Sequence, residues 1–527
     1  MKKTAVFLTF FLAQTLLSAQ GNTIKNDQFW NTISGRPIYS QGGGVFRFPD
    51  PETKVEKYYW YGAHYKEAEY YRKDPAVTHS TDSLVAISCY SSTDLVNWTF
   101  ENNSIDRDAI NRQDPDTKWM GRLGVAYIAD LEKYALFVQH NKGVLVALGE
   151  TPTGTFTWHQ KLDMTQMIGT PNTGDQTVFT DDDTGKSYLV YSYGEGRHKI
   201  YISEIGVKNG KVGLLDCHQV YSGKGREGNC MFKYKGKYYV YASNLYGWDS
   251  SYAYYLVSDK IYGPYTPEDK MLITPGCMDD FAHITQTGFF INVKGSKQET
   301  VVYCGDRWAN FAGNGLGYNQ WLPMSFDGDT PYLNSLSSWK LNEATGEWWV
   351  AKDNNYVKNG SLEADRRKIP SPVKPIQEHI TGWFTKVYQG NPLLVGDADA
   401  PESNYFNSEE DRKSVVGEKS LNLTDNVPFK RKVFQVIEST PYVMLEDGRY
   451  DLKASIKNNG RFHRLEMFVE SGGLLHNREV PHENKDWVTI SLTGIHVRNG
   501  RAAIGFYAHG APGASCQIDD VVFTRTK

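Results

Sequence analysis

A polar residue followed by alternating aromatic and aliphatic side chains recurs through the first 350 residues. The pattern appears as KYYWYG from Lys57, KYALFVQ from Lys133, KSYLVYS from Lys186, KYYVYAS from Lys237 and TVVYCGD from Thr300. Turn-bounded stretches lie between the copies: YSSTDLVNWTF after LVAISCYS, GETPTGTFTW after VLVALGE, and SDKIYGPYT after YAYYLVS. Such runs predict strands. Five copies at intervals of roughly 50 to 75 residues are the mark of radial repetition. Five units of about four strands predict a five-bladed β-propeller over residues 22–350, with inner strands delivering side chains to one axial pocket. A pair of β-sandwiches is disfavoured by the single period.

The pattern stops after GEWWVAKDNNYVKNG. Residues 351–381, which contain SLEADRRKIPSPVKP with three prolines and a charge run, read as a linker. Short strands resume over residues 382–527 (RYDLKASIKN, RLEMFVES, WVTISLTGIHV, AAIGFYAHG and CQIDDVVFTR) and predict a β-sandwich of jelly-roll type. That ending resembles carbohydrate-binding modules of the galactose-binding-like fold. The fold class expected is therefore all-β, a five-bladed β-propeller followed by a C-terminal β-sandwich.

A net charge of −4 over 527 residues leaves no basic field for nucleic acid or an anionic membrane. The 13 Trp and 34 Tyr serve strand cores, and exposed members stack well on the C–H faces of sugars. The first residues, MKKTAVFLTFFLAQTLLSAQ, have the basic, apolar and small-residue regions of a signal peptide ending at residue 19. Export to a periplasm or the medium follows, with no membrane anchor. Six scattered cysteines form no C-x-x-C pair, which speaks against a zinc ribbon or a redox motif.

Hydrolysis of a glycosidic bond requires an acid for the leaving oxygen and a group on the far face to activate water. Asp175 stands just before the inner strand of its unit, while Asp181, Asp182 and Asp183 read as a solvated turn rather than a calcium loop. Glu227 stands at the matching point of the next unit. A lone strand-flanking glutamate is ordinarily a surface residue, but the matched position one unit earlier reverses that reading. An ionised Asp175 beside it would raise its pKa, leaving Glu227 protonated at neutral pH to act as an acid. In the following unit a base is expected and an amide, Gln286, is found beside His283 and Thr285. Gln286 can orient water by hydrogen bonding but is a poor base. Gln41, Trp248, His283, Asp306, Trp308 and Trp321 complete the expected sugar-binding wall, with Trp248 and Trp308 as stacking platforms that fit blade packing equally well. No cofactor is required. A structural calcium ion, with His283 as a candidate ligand, is left open against the commoner case of a satisfied buried histidine.

Over roughly residues 28 to 345 the chain resembles the family-43 glycoside hydrolases, inverting enzymes on a five-bladed propeller. The resemblance rests on Asp175 in GDQTVFTDDDTGKSYLVYS, Glu227 in REGNCMFKYKGKYYVYAS, Gly247-Trp248 and CGDRW at Cys304 to Trp308. Most of that family carries an aspartate base on the first blade, where this chain has SGRPIYSQGGGVFRF. That departure resembles the branch of galactan 1,3-β-galactosidases, which share the Gly-Gly-Gly strand and YYWYG. The resemblance implies Glu227 as general acid, Asp175 as its modulator and Gln286 as holder of the attacking water. This chain departs from the branch in having Ala63 and His64 after YYWYG in place of a sugar-binding glutamate. It also has MGRLGV in place of a Glu-Arg-Pro motif. The activity implied is exo-acting, inverting release of terminal galactosyl units from plant-type galactan or arabinogalactan. The alternatives are a β-galactofuranosidase or α-L-arabinofuranosidase with the same mechanism, and a non-catalytic carbohydrate-binding protein.

Overall fold

The computed structural model describes residues 22–79, 83–115, 117, 119–140, 142–247, 249–307, 318–365, 379–393 and 405–527. The expected signal peptide at residues 1–19 lies outside the described residues. The chain is all-β, as the sequence pattern predicts.

Five antiparallel sheets follow one another between Gln41 and Leu333. Sheet A begins with Gln41–Pro49, sheet B with Leu123–Ile128, sheet C with Thr173–Thr180, sheet D with Glu227–Tyr234 and sheet E with Gln286–Lys294. Each of these first strands packs beside that of the next sheet, and the first strand of E packs beside that of A, so the five neighbour one another in a cycle.

The reason for the repeated motif is visible in the second strand of each sheet, which is buried on both faces. In sheet C, Leu189 and Tyr191 pack toward sheet B, while Tyr188 and Val190 pack toward sheet D. A side-chain period of two sends successive residues to opposite faces. With a neighbouring sheet on each side, every position is apolar or aromatic, as in a doubly covered strand. Five apolar clusters fill the spaces A–B, B–C, C–D, D–E and E–A. The last is the richest in tryptophan, with Trp60, Trp98, Trp321 and Trp339 all fully buried.

A three-stranded sheet not anticipated from the five copies joins the two ends of this unit. Asn22–Lys25 pairs with Ser338–Leu341, which pairs in turn with Trp348–Val350. Two further five-stranded sheets follow, one beginning at Phe384–Gln389 and the other at Tyr405–Phe406. They share one apolar cluster that includes Val433, Leu452, Ile504, Phe506 and Phe523. Residues 351–365, expected as linker, are ordered against this second unit. The Tyr356 N–H donates to the Phe523 carbonyl, and Leu362 is fully buried in the same cluster. All six cysteines are free thiols, five of them buried.

Candidate active site

Each of the five first strands carries a polar residue in or beside its first three positions, at the same end of the cycle: Gln41 in A, Arg122 immediately before B, Asp175 in C, Glu227 in D and Gln286 in E. In four of the strands the pairing register slips at this end, between Gln41 and Gly44, Thr173 and Gln176, Glu227 and Cys230, and Thr287 and Phe289. Such bulges end the regular ladder and re-aim the side chains beside them. Glycine makes them feasible. Gly228 has φ +62°, and a Cβ there would stand 2.5 Å from the Thr287 carbonyl oxygen of the next sheet.

Arg122 is the hub of the site. Its Nε donates to Asp175 Oδ2 at 3.2 Å, Nη1 to Asp306 Oδ2 at 2.8 Å, and Nη2 to Gln286 Oε1 at 2.8 Å. Arginine only donates, so the last bond fixes the amide of Gln286 with its oxygen toward Arg122. The amide nitrogen then donates to Glu227 Oε1 at 2.7 Å. Glu227 Oε2 is in contact with Arg197 Nη1, which also lies 3.4 Å from Asp175 Oδ1. Asp175 Oδ2 accepts the Gly228 N–H at 2.8 Å, and its carbonyl accepts from Asn229 Nδ2 at 3.0 Å, locking sheets C and D together at this level.

The two carboxyl groups are driven apart. Burial and the charge on Asp175 push Glu227 up to about 8, outweighing Arg197 and Arg122. Burial alone would raise Asp175 too, but Arg197, Arg122 and the Gly228 N–H outweigh it and hold this carboxyl below its ordinary range. Near neutral pH the site therefore pairs a protonated Glu227 with an ionised Asp175, the division of labour that acid catalysis needs. A cavity of about 40 Å³, lined by Gln41, Trp119, Arg122, Asp175 and Gln286 among others, adjoins the pair. Ala63 and Gly121, in the two segments where the resembling branch has carboxylates, line the same cavity. Beside Gly121 the Gln139 side chain fills the space, its oxygen 2.1 Å from where a Cβ would stand.

A larger cavity, about 740 Å³, lies at the opposite end of the same strands, around Phe48, Phe179, Phe232 and Ile291. Its acids Asp182 and Asp183 are ion-paired with Lys294 and Lys233. Glu299 accepts from Asn292 Nδ2 at 2.9 Å. These acids are spent on lysines and an amide, so the chemistry belongs to the smaller site.

The structure brings Glu227, Asp175, Gln286 and Gln41 together, holds Asp306 behind them on Arg122, and places His283 and Trp321 elsewhere. Asp306 has a side chain only 1% exposed and accepts from Arg122 and the Gly42 N–H, so it supports the hub from beneath instead of meeting a sugar. Trp321 is fully enclosed by Trp30, Trp60 and Trp98 in the A–E cluster; closure of the cycle makes it core and leaves no face for a sugar. His283 spends both ring nitrogens on Asp27 Oδ2 and Ser335 Oγ, each at 2.8 Å. Trp248 and Trp308 lie outside the described residues. Asp181, expected in a solvated turn, is buried and accepts from Lys233 and Tyr238. Among the described residues no cluster of three or more His, Cys, Asp or Glu is placed to hold a metal ion.

Sequence reasoning missed Arg122, Arg197 and Trp119. For Arg122 a signal existed, since it precedes the apolar run LGVAYI much as Asp175 and Glu227 precede TVF and CMF.

The model of glycosyl hydrolases family 43 matches residues 47–307. No curated protein matches the chain. Among solved structures, an exo-β-1,3-galactanase from Phanerochaete chrysosporium with β-1,3-galactotriose is 18% identical with a TM-score of 0.53, over 95% of this chain and 100% of that one. An exo-β-1,3-galactanase from Clostridium thermocellum is 19% identical with a TM-score of 0.53, over 94% and 99% of the two chains. At such identities the likeness speaks for the fold.

Proposed function

Since the chain belongs to the glycosyl hydrolases of family 43 and is a glycoside hydrolase, we propose that it is an exo-acting, inverting enzyme that releases terminal galactosyl units from galactan or arabinogalactan side chains. The observation that carries the mechanism is the opposed pair, Glu227 pushed up to about 8 and Asp175 held down. The likeness to two exo-β-1,3-galactanases along nearly their whole length supports the substrate class. We read the five sheets as blades of a propeller, residues 382–527 as a sandwich of carbohydrate-binding type, and the N-terminal segment as an export signal.

In this reading Glu227 protonates the leaving glycosidic oxygen, and Asp175 keeps it protonated and orients it through Arg197. Gln286 accepts only one bond from Arg122 at Oε1, which leaves a lone pair to hold the attacking water. The Gln286 amide nitrogen donates to Glu227 Oε1 at 2.7 Å. Opening this bond as the sugar enters frees a Glu227 oxygen for the glycosidic atom. No step requires a cofactor.

Ala63 and Gly121 leave the cavity without the carboxylates of the resembling galactanases. That observation favours a furanosidic galactoside or arabinoside as the second reading. The test is incubation of the purified chain with β-1,3-galactan and arabinogalactan, chromatography of the released sugars, and a Glu227→Gln control. Free galactose from the wild type alone supports the first reading. Free arabinose or furanosidic galactose moves the specificity, and release unchanged in the control overturns the assignment of the acid.

A further inference from the structure

The outward face of one sheet in the C-terminal unit carries aromatic side chains that its own packing does not use. The sheet runs Phe384–Gln389, Phe429–Glu438, Arg501–Gly510, Phe462–Ser471 and Leu474–Glu479. Its inward residues Val433, Ile504, Phe506 and Met467 join the apolar cluster. Alternation and register send Phe434, Lys432 and Tyr507 to the other side. Phe384 and Tyr388 are 54% and 53% exposed, and they sit against Phe434 and Tyr507 with ring centroids 6.0 and 6.5 Å apart. Residues 355–360 meet Val521 and Phe523 of the other sheet and, through Lys358, the buried Gln435 of this one, which alternation sets on the face opposite Phe434.

Lysines are interleaved with the rings. Lys386 Nζ lies 5.1 Å from the Tyr388 centroid, and Lys432 Nζ stands between Phe434 and Phe468 at 5.3 and 4.4 Å. Lys430 projects from the same side. Among the described residues none of these three lysines is paired with a carboxylate, whereas Arg464, two strands away, is satisfied by Glu466 at 2.7 Å. Gly505, opposite both Phe434 and Phe468, keeps the ground between the two rings low. Phe384 and Tyr388 are four residues apart, roughly 13 Å along a strand, so the rings span more than one sugar.

We propose that this face is a non-catalytic binding site for a uronate-bearing polysaccharide. The rings stack on the C–H faces of the sugars, and Lys386, Lys430 and Lys432 receive the carboxylates. Aromatic surface alone would serve a neutral glycan. Unpaired ammonium groups beside the rings add preference for an anionic one, since their hydrogen bonds to carboxylate are charge-assisted. Nucleic acid fits poorly, because three lysines on a chain of net charge −4 fall short of the six to ten phosphate contacts of ordinary binders. The proposal concerns the folded C-terminal unit and is independent of which sugar the catalytic site accepts.

The test is affinity electrophoresis of the full chain in gels containing polygalacturonate, neutral β-1,3-galactan or dextran sulfate, with hydrolysis of a nitrophenyl glycoside followed in parallel. The wild type is expected to be retarded most by polygalacturonate. The Phe384→Ala/Tyr388→Ala and Lys386→Ala/Lys432→Ala variants should each bind about tenfold more weakly, with hydrolysis and thermal midpoint unchanged. Absence of retardation in the wild type overturns the site, as does full binding by the aromatic variant. Equal or stronger retardation by neutral galactan overturns the role of the lysines, and retardation by dextran sulfate that ignores the rings reduces the face to an ion exchanger and overturns it too. Failure of hydrolysis with retention intact strikes the catalytic reading alone.

Discussion

Replacing Asp175 with Asn tests the electrostatics of the site most directly. Arg197 lies 3.4 Å from Asp175 Oδ1 and in contact with Glu227 Oε2, so the two carboxyl oxygens are at most roughly 6 Å apart. At an effective dielectric of about 20, two charges at that separation repel by about 3 kcal/mol, equivalent to roughly two pKa units. Removing the Asp175 charge also leaves Arg197 to Glu227 alone, which acts in the same direction. A general acid must be protonated, so kcat/KM falls on the alkaline side with the pKa of the free enzyme. For the wild type that limb should centre near pH 8. In Asp175→Asn it should move down by one to two units, with a lower plateau because Glu227 loses its orientation. The assay is kcat/KM against pH on a substrate whose leaving group needs protonation, with both proteins at fixed ionic strength. A limb that stays put or moves upward would refute the idea that Asp175 holds the proton on Glu227.

Three further predictions concern stability and the hub. Glu227 has a raised pKa in the folded state, so between its ordinary value of 4.5 and about 8 the native protein holds a proton that the unfolded chain has lost; stability falls as pH rises through that window. Glu227→Gln removes this dependence and should raise the thermal midpoint at pH 8 by more than at pH 4.5. Arg122→Met leaves Asp306 buried without its cation and Asp175 with Arg197 alone, which should cost about 3–5 kcal/mol in denaturant unfolding and abolish measurable turnover. Trp321→Ala should cost about 3–5 kcal/mol with KM unchanged, because the ring fills the A–E core and not the sugar site.

The β-strand content and the five units were legible because burial on both faces writes an unbroken apolar run, as in KSYLVYS and KYYVYAS. Asp175 and Glu227 were legible because each precedes the apolar part of its strand, TVF and CMF. His283 and Trp321 were misplaced because a bulge or a single step along a strand turns a side chain to the opposite face. Asp306 does stand at the site, opposite Gln286 in the ladder, but Arg122 claims its carboxylate. His283 sits in a run of left-handed residues, Phe281 to Ile284, that carries it toward Asp27.

By itself the sequence determined the elements and the candidate acid, since strand period, turn residues and paired carboxylates are local properties. Only the tertiary structure decided what those groups experience. Arg122 meets Asp306 across 184 positions, Gln286 meets Glu227 across 59, and the Asp306 carboxylate accepts the Gly42 N–H across 264. A pKa is set by burial and by charges a few ångströms away, so the proton on Glu227 exists only once the first strands are brought side by side. Trp321 becomes core for the same physical reason: packing of sheet E against sheet A encloses a ring that the sequence leaves free to face either way.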